Sequence, residues 1–279
     1  MKWLFCLAMC TVLLTGCGSG PKEYANVWEK VKDTGVLIVG TSPDFAPAEF
    51  LDADGNVIGS EVSLMYYLAE QMGVELKIET MDFGAVLTAV DSGKVDLGIS
   101  GFGWKQDRED NYELSIGFNK ETVNVTGCPS NGHGLMVPKD KVDDYKSLED
   151  FNGKIVAAQS ASMQLEFTEK QIPGAIIEIV NTLDVGLLSL QTGKVDALAV
   201  PCSTGMGFEN NNDDVVYSPV TFVVDMGEHD GNIIIAKKGE TELIGEVNKI
   251  LESLEGTGQF QAWYDEAIEQ AKELGIPFN

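Results

Sequence analysis

The sequence is short of basic residues. Its 279 residues include 19 Lys and Arg against 44 Asp and Glu, which gives a formal net charge of −25 at pH 7. A chain this acidic repels nucleic-acid phosphates and anionic lipid headgroups, so the composition argues against both as electrostatic partners. The acidic residues are spread along the chain, as on an ordinary solvated surface, and we attach no function to them.

Long hydrophobic runs are missing beyond the first 16 residues, and no later segment is apolar enough to span a bilayer. Residues 1–16 combine an early lysine, an uncharged apolar stretch and small residues, which predicts a signal peptide. The next residue completes the sequence LTGC, which resembles a bacterial lipobox and implies a lipidated Cys17. Residues 17–33 are then the lipidated cysteine and its tether. An ordinary secreted protein with an incidental Cys17 is the alternative.

Cysteine is scarce in the rest of the chain. Of five cysteines, three lie in the first 17 residues, which leaves Cys128 and Cys202. In an oxidising compartment such an even pair can form a single disulfide. Two unpaired buried thiols fit the sequence equally well.

One unit occurs twice in the chain. SGKVDLGIS at 92–100 recurs as TGKVDALAV at 192–200. In both copies an apolar helical pattern comes first, and Gly93 or Gly193 suits the left-handed position just past the helix end. A buried run follows, as expected for a strand of a parallel sheet. We therefore predict an α/β protein of two similar lobes, each a sheet flanked by helices.

Hydrophobic periodicity and chain breakers assign the remaining segments. Helices are predicted over 61–72, 161–171 and 183–192 and twice near the C-terminus, and strands near 36–41, 76–80, 135–138, 154–158 and 196–200. Lobe 1 is predicted to comprise 34–126 and 232–279, lobe 2 135–226, and the crossings between them 127–134 and 227–231.

The predicted strand ends locate a candidate site. In open parallel sheets, ligands bind outside the carboxyl ends of the strands. Those ends fall at 41–45 and 100–108 in lobe 1 and at 159–164 and 200–204 in lobe 2. The natural site is therefore a cleft between the lobes.

Six ordered segments resemble one known family. They are VLIVGTSPDFAPAEF, GSEVSLMYYLAEQMGVELK, MDFGAVLTAVDSGKVDLGIS followed by Arg108, SLEDFNGKIVAAQSASMQ, LQTGKVDALAV and KKGETELIGEVNKILESLEGTGQFQAWY. With these segments the chain resembles the extracellular solute-binding proteins of ABC importers, specifically family 3, the polar amino-acid group. The resemblance implies a type II periplasmic-binding-protein-like fold and a monomer that closes on a small carboxylate and delivers it to a membrane permease.

The resemblance also implies a set of ligand-binding residues. Arg108 matches the arginine that clamps the ligand's α-carboxylate, because a planar guanidinium grips a carboxylate bidentately; a surface ion pair with Asp107 or Glu109 is the alternative. Phe45 and Phe83 match the aromatic positions that sandwich the ligand's aliphatic part, and core packing is the alternative for both. The other matching positions are Ser42, Ser100, Gly101, Gly103, Ser162, Met163 and Gln164. Trp104 either lines the cleft or caps it.

Three positions depart from the family pattern. Pro201 stands where an aspartate usually pairs with the ligand's α-ammonium. Because burying an unpaired ammonium is costly, either another acid takes over or the ligand lacks that charge. Ser42 replaces an acidic or polar residue, which disfavours a dibasic solute. Ala48 replaces an aromatic residue, so the pocket is expected to be larger there.

Two other functions fit the same scaffold. Some relatives of the fold are dehydratases, but catalysis needs a titratable acid or base in the cleft. The strand ends offer only Asp44, Lys105, Asp107 and Arg108, with no histidine. The second alternative is a sensor that presents its closed form to a membrane receptor, and the sequence does not separate it from an importer receptor.

No cofactor is expected. His133 and His229 fall near the predicted crossings, and their spacing with Cys128 matches no metal-ligand motif. We therefore predict no metal and no cofactor. Separately, the predicted lipid on Cys17 implies a location outside the cytoplasm, on the outer face of the cell membrane.

Overall fold

A computed structural model of the chain describes residues 22–119, 132–225 and 229–276. The predicted signal peptide, Cys17 and Cys128 lie outside these ranges, as do parts of both predicted crossings. Within them, no helix combines the length and the apolar character that a membrane span needs.

The described residues form nine α-helices and thirteen β-strands. The helices are α1 (Val27–Thr34), α2 (Ser60–Met72), α3 (Phe83–Asp91), α4 (Gln106–Asn111), α5 (Met163–Gln171), α6 (Leu183–Gln191), α7 (Cys202–Asn211), α8 (Thr241–Leu254) and α9 (Gln259–Glu273). The strands are β1 (Val36–Thr41), β2 (Asp44–Phe45), β3 (Glu49–Leu51), β4 (Val57–Ile58), β5 (Glu75–Thr80), β6 (Leu97–Gly98), β7 (Tyr112–Leu114), β8 (His133–Pro138), β9 (Ile155–Gln159), β10 (Ile176–Val180), β11 (Ala197–Pro201), β12 (Val215–Thr221) and β13 (Ile235–Lys237).

The two lobes are built on five-stranded sheets of matching order. The first sheet runs β5-β1-β6-β13-β7 and the second β10-β9-β11-β8-β12. In each sheet the first three strands are parallel, and the strand that follows them is antiparallel. The predicted two-lobe α/β fold with parallel strands after each repeat is confirmed. In lobe 1 the fourth strand, β13, comes from a later part of the chain, which returns to this lobe after lobe 2.

Helices cover both faces of each sheet. In lobe 1, α2 and α8 pack on one face through Leu64 and Val247, and α3 packs on the other through Val86. In lobe 2, the same two-faced packing is supplied by α5 and α6. Val31 of α1 lies in the core of lobe 1, so residues 27–33 of the predicted tether pack as part of that lobe.

The repeated sequence has the same structural task in both lobes. Gly93 and Gly193 adopt φ angles of 72° and 70°, the left-handed conformation predicted for them. The aspartate three residues later then reaches the middle one of the three parallel strands (the central strand, β1 in lobe 1 and β9 in lobe 2): Asp96 accepts a hydrogen bond from the Ile38 amide at 3.0 Å. Its counterpart in lobe 2 accepts from the Ile155 amide at 2.9 Å. Each repeat therefore ends a helix and holds the beginning of the central strand.

Helix α7 was not predicted because its sequence has weak helical character. Gly205 and Gly207 lie inside it, and glycine lowers helix propensity. Gly205 is required by packing, since a Cβ there would lie 2.3 Å from the ring of Tyr217. The tertiary contact with β12 thus outweighs the local preference.

Asp96→Ala is expected to lower the free energy of unfolding by about 1–3 kcal/mol, because it leaves a strand amide without its partner. Asp96 is 2 % exposed and also binds the Lys30 ammonium at 2.6 Å. Urea unfolding followed by circular dichroism measures the change. Asp91→Ala, at an exposed acid in the same repeat, is the control. Equal midpoints for the two variants would contradict the assignment.

Candidate functional site

A cavity of about 130 Å³ lies between the two lobes, at the carboxyl ends of their parallel strands. Its wall contains nine of the ten residues that the sequence assigned to ligand binding: Phe45, Phe83, Ser100, Gly101, Gly103, Arg108, Ser162, Met163 and Gln164. The structure thus brings these residues together, and their part in binding stays a prediction. Ala48 and Pro201, two of the departures from the family pattern, lie in the same wall.

Ser42 lies behind the wall. It is 1 % exposed, its amide donates to Ser100 Oγ at 2.9 Å, and its hydroxyl donates to Asp44 Oδ1 at 2.8 Å. Its place in the structure is therefore to support two residues that do line the cavity.

Arg108 lies deep in the site and makes no surface ion pair. The residue is 2 % exposed, and burial lowers its pKa to about 10. Its Nη1 donates to the Gly103 carbonyl at 2.5 Å, and its Nη2 to the Ala161 carbonyl at 2.9 Å. Its Cζ lies 5.0 Å and 5.8 Å from the ring centroids of Phe102 and Phe83.

These partners orient the Arg108 guanidinium without neutralising it. Carbonyl oxygens and ring faces carry no formal charge, and Nε has no hydrogen-bond partner within the described residues. A buried cation that lacks an anion is costly, so this geometry favours a negatively charged group in the cavity. The burial of Arg108 excludes the surface ion pair considered from sequence.

Asp44 places a carboxyl group in the cavity wall, which also contains the Arg108 guanidinium. It begins β2 in lobe 1, and its Oδ2 accepts from Gln159 Nε2 at 2.8 Å and from the Leu183 amide at 3.3 Å, both in lobe 2. Burial raises the pKa of this carboxyl group. Asp44 therefore joins the lobes as well as lining the cavity.

The structure shows the lobes in contact across the cavity. Besides the contacts of Asp44 and Arg108, Lys105 forms an ion pair with Glu166 at 3.1 Å. Gly103 passes so close to lobe 2 that a Cβ there would lie 2.3 Å from Met163 Sδ. The arrangement is thus a closed one.

Two buried carboxylates behind the wall were missed by sequence reasoning. Glu61 accepts hydrogen bonds from the Gly101 amide at 2.8 Å and from Asn232 Nδ2 at 2.6 Å. Glu49 accepts from Ser100 Oγ at 3.0 Å. Burial raises the pKa of both, that of Glu49 well above its usual value. The Gly101 amide and the Ser100 hydroxyl are thereby engaged inside lobe 1.

His133 lines the cavity, so the expectation of a site without histidine is wrong. Its Nδ1 lies 2.7 Å from the amide nitrogen of Gln164, and its ring meets that of Phe167 edge-on. Burial lowers the pKa of His133 to about 4, so the imidazole is neutral at pH 7. His133 begins β8, which pairs with β11 at Pro201, and this pairing of two distant segments has no signal in the sequence.

Two further predictions have outcomes here. Cys202 lines the cavity and is disulfide-bonded, which rules out a free thiol at this position, whereas Cys128 lies outside the described residues. Trp104 stacks on His229 with ring centroids 4.1 Å apart, beside the second crossing. It lies in a neighbouring surface pocket with His229.

Two α/β lobes closed over a small cavity, with a buried guanidinium in its wall, define a protein that encloses a small solute. The chain belongs to the bacterial extracellular solute-binding proteins, family 3, whose family model matches residues 37–270. The predicted family is thereby confirmed.

Relatives and solved structures agree with this assignment. The chain is 30 % identical to the arginine-binding extracellular protein ArtP of Bacillus subtilis, over 93 % of this chain and 95 % of that protein. It is 24 % identical to the L-cystine-binding protein TcyJ of Escherichia coli, over 88 % of both. A crystal structure of AbpA, an amino acid ABC transporter substrate-binding protein from Streptococcus pneumoniae bound to L-arginine, superposes with a TM-score of 0.76 at 28 % identity, over 87 % of this chain and 98 % of that one.

The imidazole of His133 is expected to titrate near pH 4, far below an ordinary histidine at about 6.5. Because the unfolded chain takes up this proton first, folding stability falls as the pH drops from about 6.5 towards 4. His133→Gln should reduce that loss. NMR of the two histidine rings measures the titration, with His229→Gln to assign the signals. A midpoint for His133 of about 6 or higher would refute the burial argument.

Proposed function

We propose that the protein is the solute receptor of an ABC importer and that it captures an amino acid or a related small carboxylate outside the membrane. The single observation that carries this proposal is the buried Arg108 guanidinium, which is oriented by two carbonyls and lacks an anionic partner within the described residues. A carboxylate completes it by two parallel N–H···O bonds. The family membership and the amino-acid ligands in the names of relatives support the same reading.

Helix α5 supplies the second half of the carboxylate site in this proposal. It begins at Met163, and the first amides of a helix have no partner within the helix. Ser162 caps α5 by accepting from the Leu165 amide at 3.0 Å. The helix N-terminus thus turns free amides and a partial positive charge towards the cavity, on the side of lobe 2.

Capture then follows from lobe closure. In the open state the solute meets Arg108, Phe45 and Phe83 on lobe 1. Closure adds the beginning of α5, so the solute binds the closed state more tightly and shifts the population towards it. The closed form is the one that a membrane permease accepts.

Binding without turnover is part of this proposal. His133 gives the dehydratase-like alternative a titratable group in the cavity. Its pKa of about 4 and its contact with Gln164 make it a neutral hydrogen-bonding group at pH 7 rather than a proton carrier. We therefore assign His133 to the wall of a binding site.

Arg108→Ala is expected to weaken solute binding by about 30-fold or more, since a buried carboxylate loses its bidentate partner. Titration calorimetry with an amino acid found by thermal-shift screening measures the affinity. Arg108→Lys keeps the positive charge but lacks the planar guanidinium, so its affinity is expected to lie between those of the unchanged protein and of Arg108→Ala. Lys77→Ala, at an exposed ion pair of lobe 1, is the control. Unchanged affinity in the folded Arg108→Ala variant would remove the basis of the proposed function.

The lipid anchor is tested separately from binding. We propose that the mature chain begins at a diacylated Cys17, stands on the outer face of the membrane and works as a monomer. The full-length protein expressed in a bacterium should then enter the detergent phase on phase separation, and Cys17→Ser should leave it in the aqueous phase. Aqueous partitioning of both forms would show an ordinary secreted protein.

A further inference from the structure

The cavity wall of this protein has an unusual charge balance. Position 201, where the family resemblance leads one to expect an aspartate for the ligand's ammonium, is a proline in the wall. Among the residues that the structure describes, the wall contains one carboxylate, Asp44, and one guanidinium, Arg108. Any cationic group of the solute inside the cavity therefore has Asp44 as its anionic partner.

We propose that Asp44 binds the solute's ammonium group and thereby takes over the task of the missing aspartate, and that the site selects amino acids with uncharged side chains. This inference rests on the proposed function, because it assumes that a carboxylate occupies Arg108.

Asp44 is surrounded by neutral hydrogen-bond donors, as expected for a carboxylate that binds a cation of the solute. Its three hydrogen-bond partners, the Ser42 hydroxyl, the Gln159 amide group and the Leu183 backbone amide, are neutral donors. They hold the oxygens in place and leave the negative charge uncompensated. A carboxylate accepts about four hydrogen bonds, so one position stays open, on Oδ1. The raised pKa of Asp44 has burial as its main cause, and the nearby charge of Asp184 adds to it.

Asp44 and Arg108 are placed around the same short turn of lobe 2. Asp44 meets the side chain of Gln159, and Arg108 meets the carbonyl of Ala161, two residues further on. Both charges of lobe 1 therefore approach lobe 2 at residues 159–161. An α-amino acid carries its carboxylate and its ammonium on one carbon, so the two solute charges can face the two wall charges together.

The same balance disfavours a dibasic solute. Glu49 and Glu61 each have 0 % exposure and are absent from the wall; Ser100 donates to Glu49 Oε1, and Gly101 and Asn232 donate to Glu61. A second cation on the solute would be buried without a carboxylate, at a large cost in free energy. Although ArtP is named as an arginine-binding protein and the AbpA structure contains bound L-arginine, we expect arginine to bind this chain weakly.

Glu49 is the rival for the ammonium. Its Oε2 has no partner within the described residues, but the side chain lies behind the wall. The variants Asp44→Asn and Glu49→Gln each replace one carboxyl group by an amide of the same shape. They form a matched pair that distinguishes the two acids.

The experiment compares each amino acid with its 2-hydroxy acid, which keeps the carboxylate and the side chain and lacks the ammonium. Full-length protein is screened by thermal shift against the twenty L-amino acids, and hits are measured by calorimetry with both compounds. We expect Asp44→Asn to weaken amino-acid binding by at least about 30-fold and 2-hydroxy-acid binding by less than about threefold. Glu49→Gln is expected to change neither by more than about threefold.

The opposing outcomes are distinct. Equal weakening of both compounds by Asp44→Asn, or no weakening, overturns the assignment, because the residue then acts only in closure or not at all. If Glu49→Gln selectively weakens amino-acid binding, the ammonium is assigned to Glu49 and the assignment to Asp44 is overturned. Tightest binding of arginine or lysine overturns the preference for uncharged side chains. Binding of 2-hydroxy acids alone, abolished by Arg108→Ala, refutes the proposal while the carboxylate receptor stands. Binding of neither class refutes both.

Discussion

The burial of one guanidinium between the lobes is the constraint on which the rest of the site depends. Arg108 is 2 % exposed and no carboxylate of the described residues forms an ion pair with it, although the charges of Asp107 and Glu166 partly offset the lowering of its pKa by burial. Such a group is tolerable only where carbonyl oxygens and ring faces surround it, and it becomes favourable when an anion joins it. Lobe 1 supplies Gly103, Phe83 and Phe102, and lobe 2 supplies the Ala161 carbonyl. The contact between the lobes therefore both buries the guanidinium and completes its hydrogen bonds.

The duplicated architecture explains why two lobes can share one site. Each GKVD segment ends a helix with a left-handed glycine and fastens the central strand through its aspartate. The central strands β1 and β9 thus end at the same edge of their sheets, where the chain leads into the loops of the cavity. Behind these loops, Glu49 and Glu61 hold Ser100 and Gly101 from inside lobe 1. These hydrogen bonds hold the predicted binding residues in place before a solute arrives, which is expected to reduce the ordering cost of binding.

We expect a few wall residues, rather than the fold, to decide which solute binds. Proteins named for arginine and for cystine match most of this chain, so the shared scaffold serves different solutes. The positions that depart from the pattern implied by the family resemblance, Pro201 and Ala48, both lie in the cavity wall, as does Asp44, which is hydrogen-bonded to lobe 2. We expect these departures to alter the charge and the space in the cavity without changing the sheets. For this reason, the charges in the cavity wall are a better basis for predicting the solute of this chain than the ligand of a relative.

The sequence by itself determined the two-lobe fold, most helices and strands and the position of Arg108 at a strand end, because repeats, periodicity and chain breakers are local patterns. Tertiary structure alone decided that His133 and Asp44 share the cavity, that Glu49 and Glu61 are buried behind it and that Gly205 lies in a helix. Asp44 and Gln159 are 115 residues apart, and no local pattern reports such a contact. Burial, which sets the pKa of each of these groups, is likewise a property of packing between distant segments.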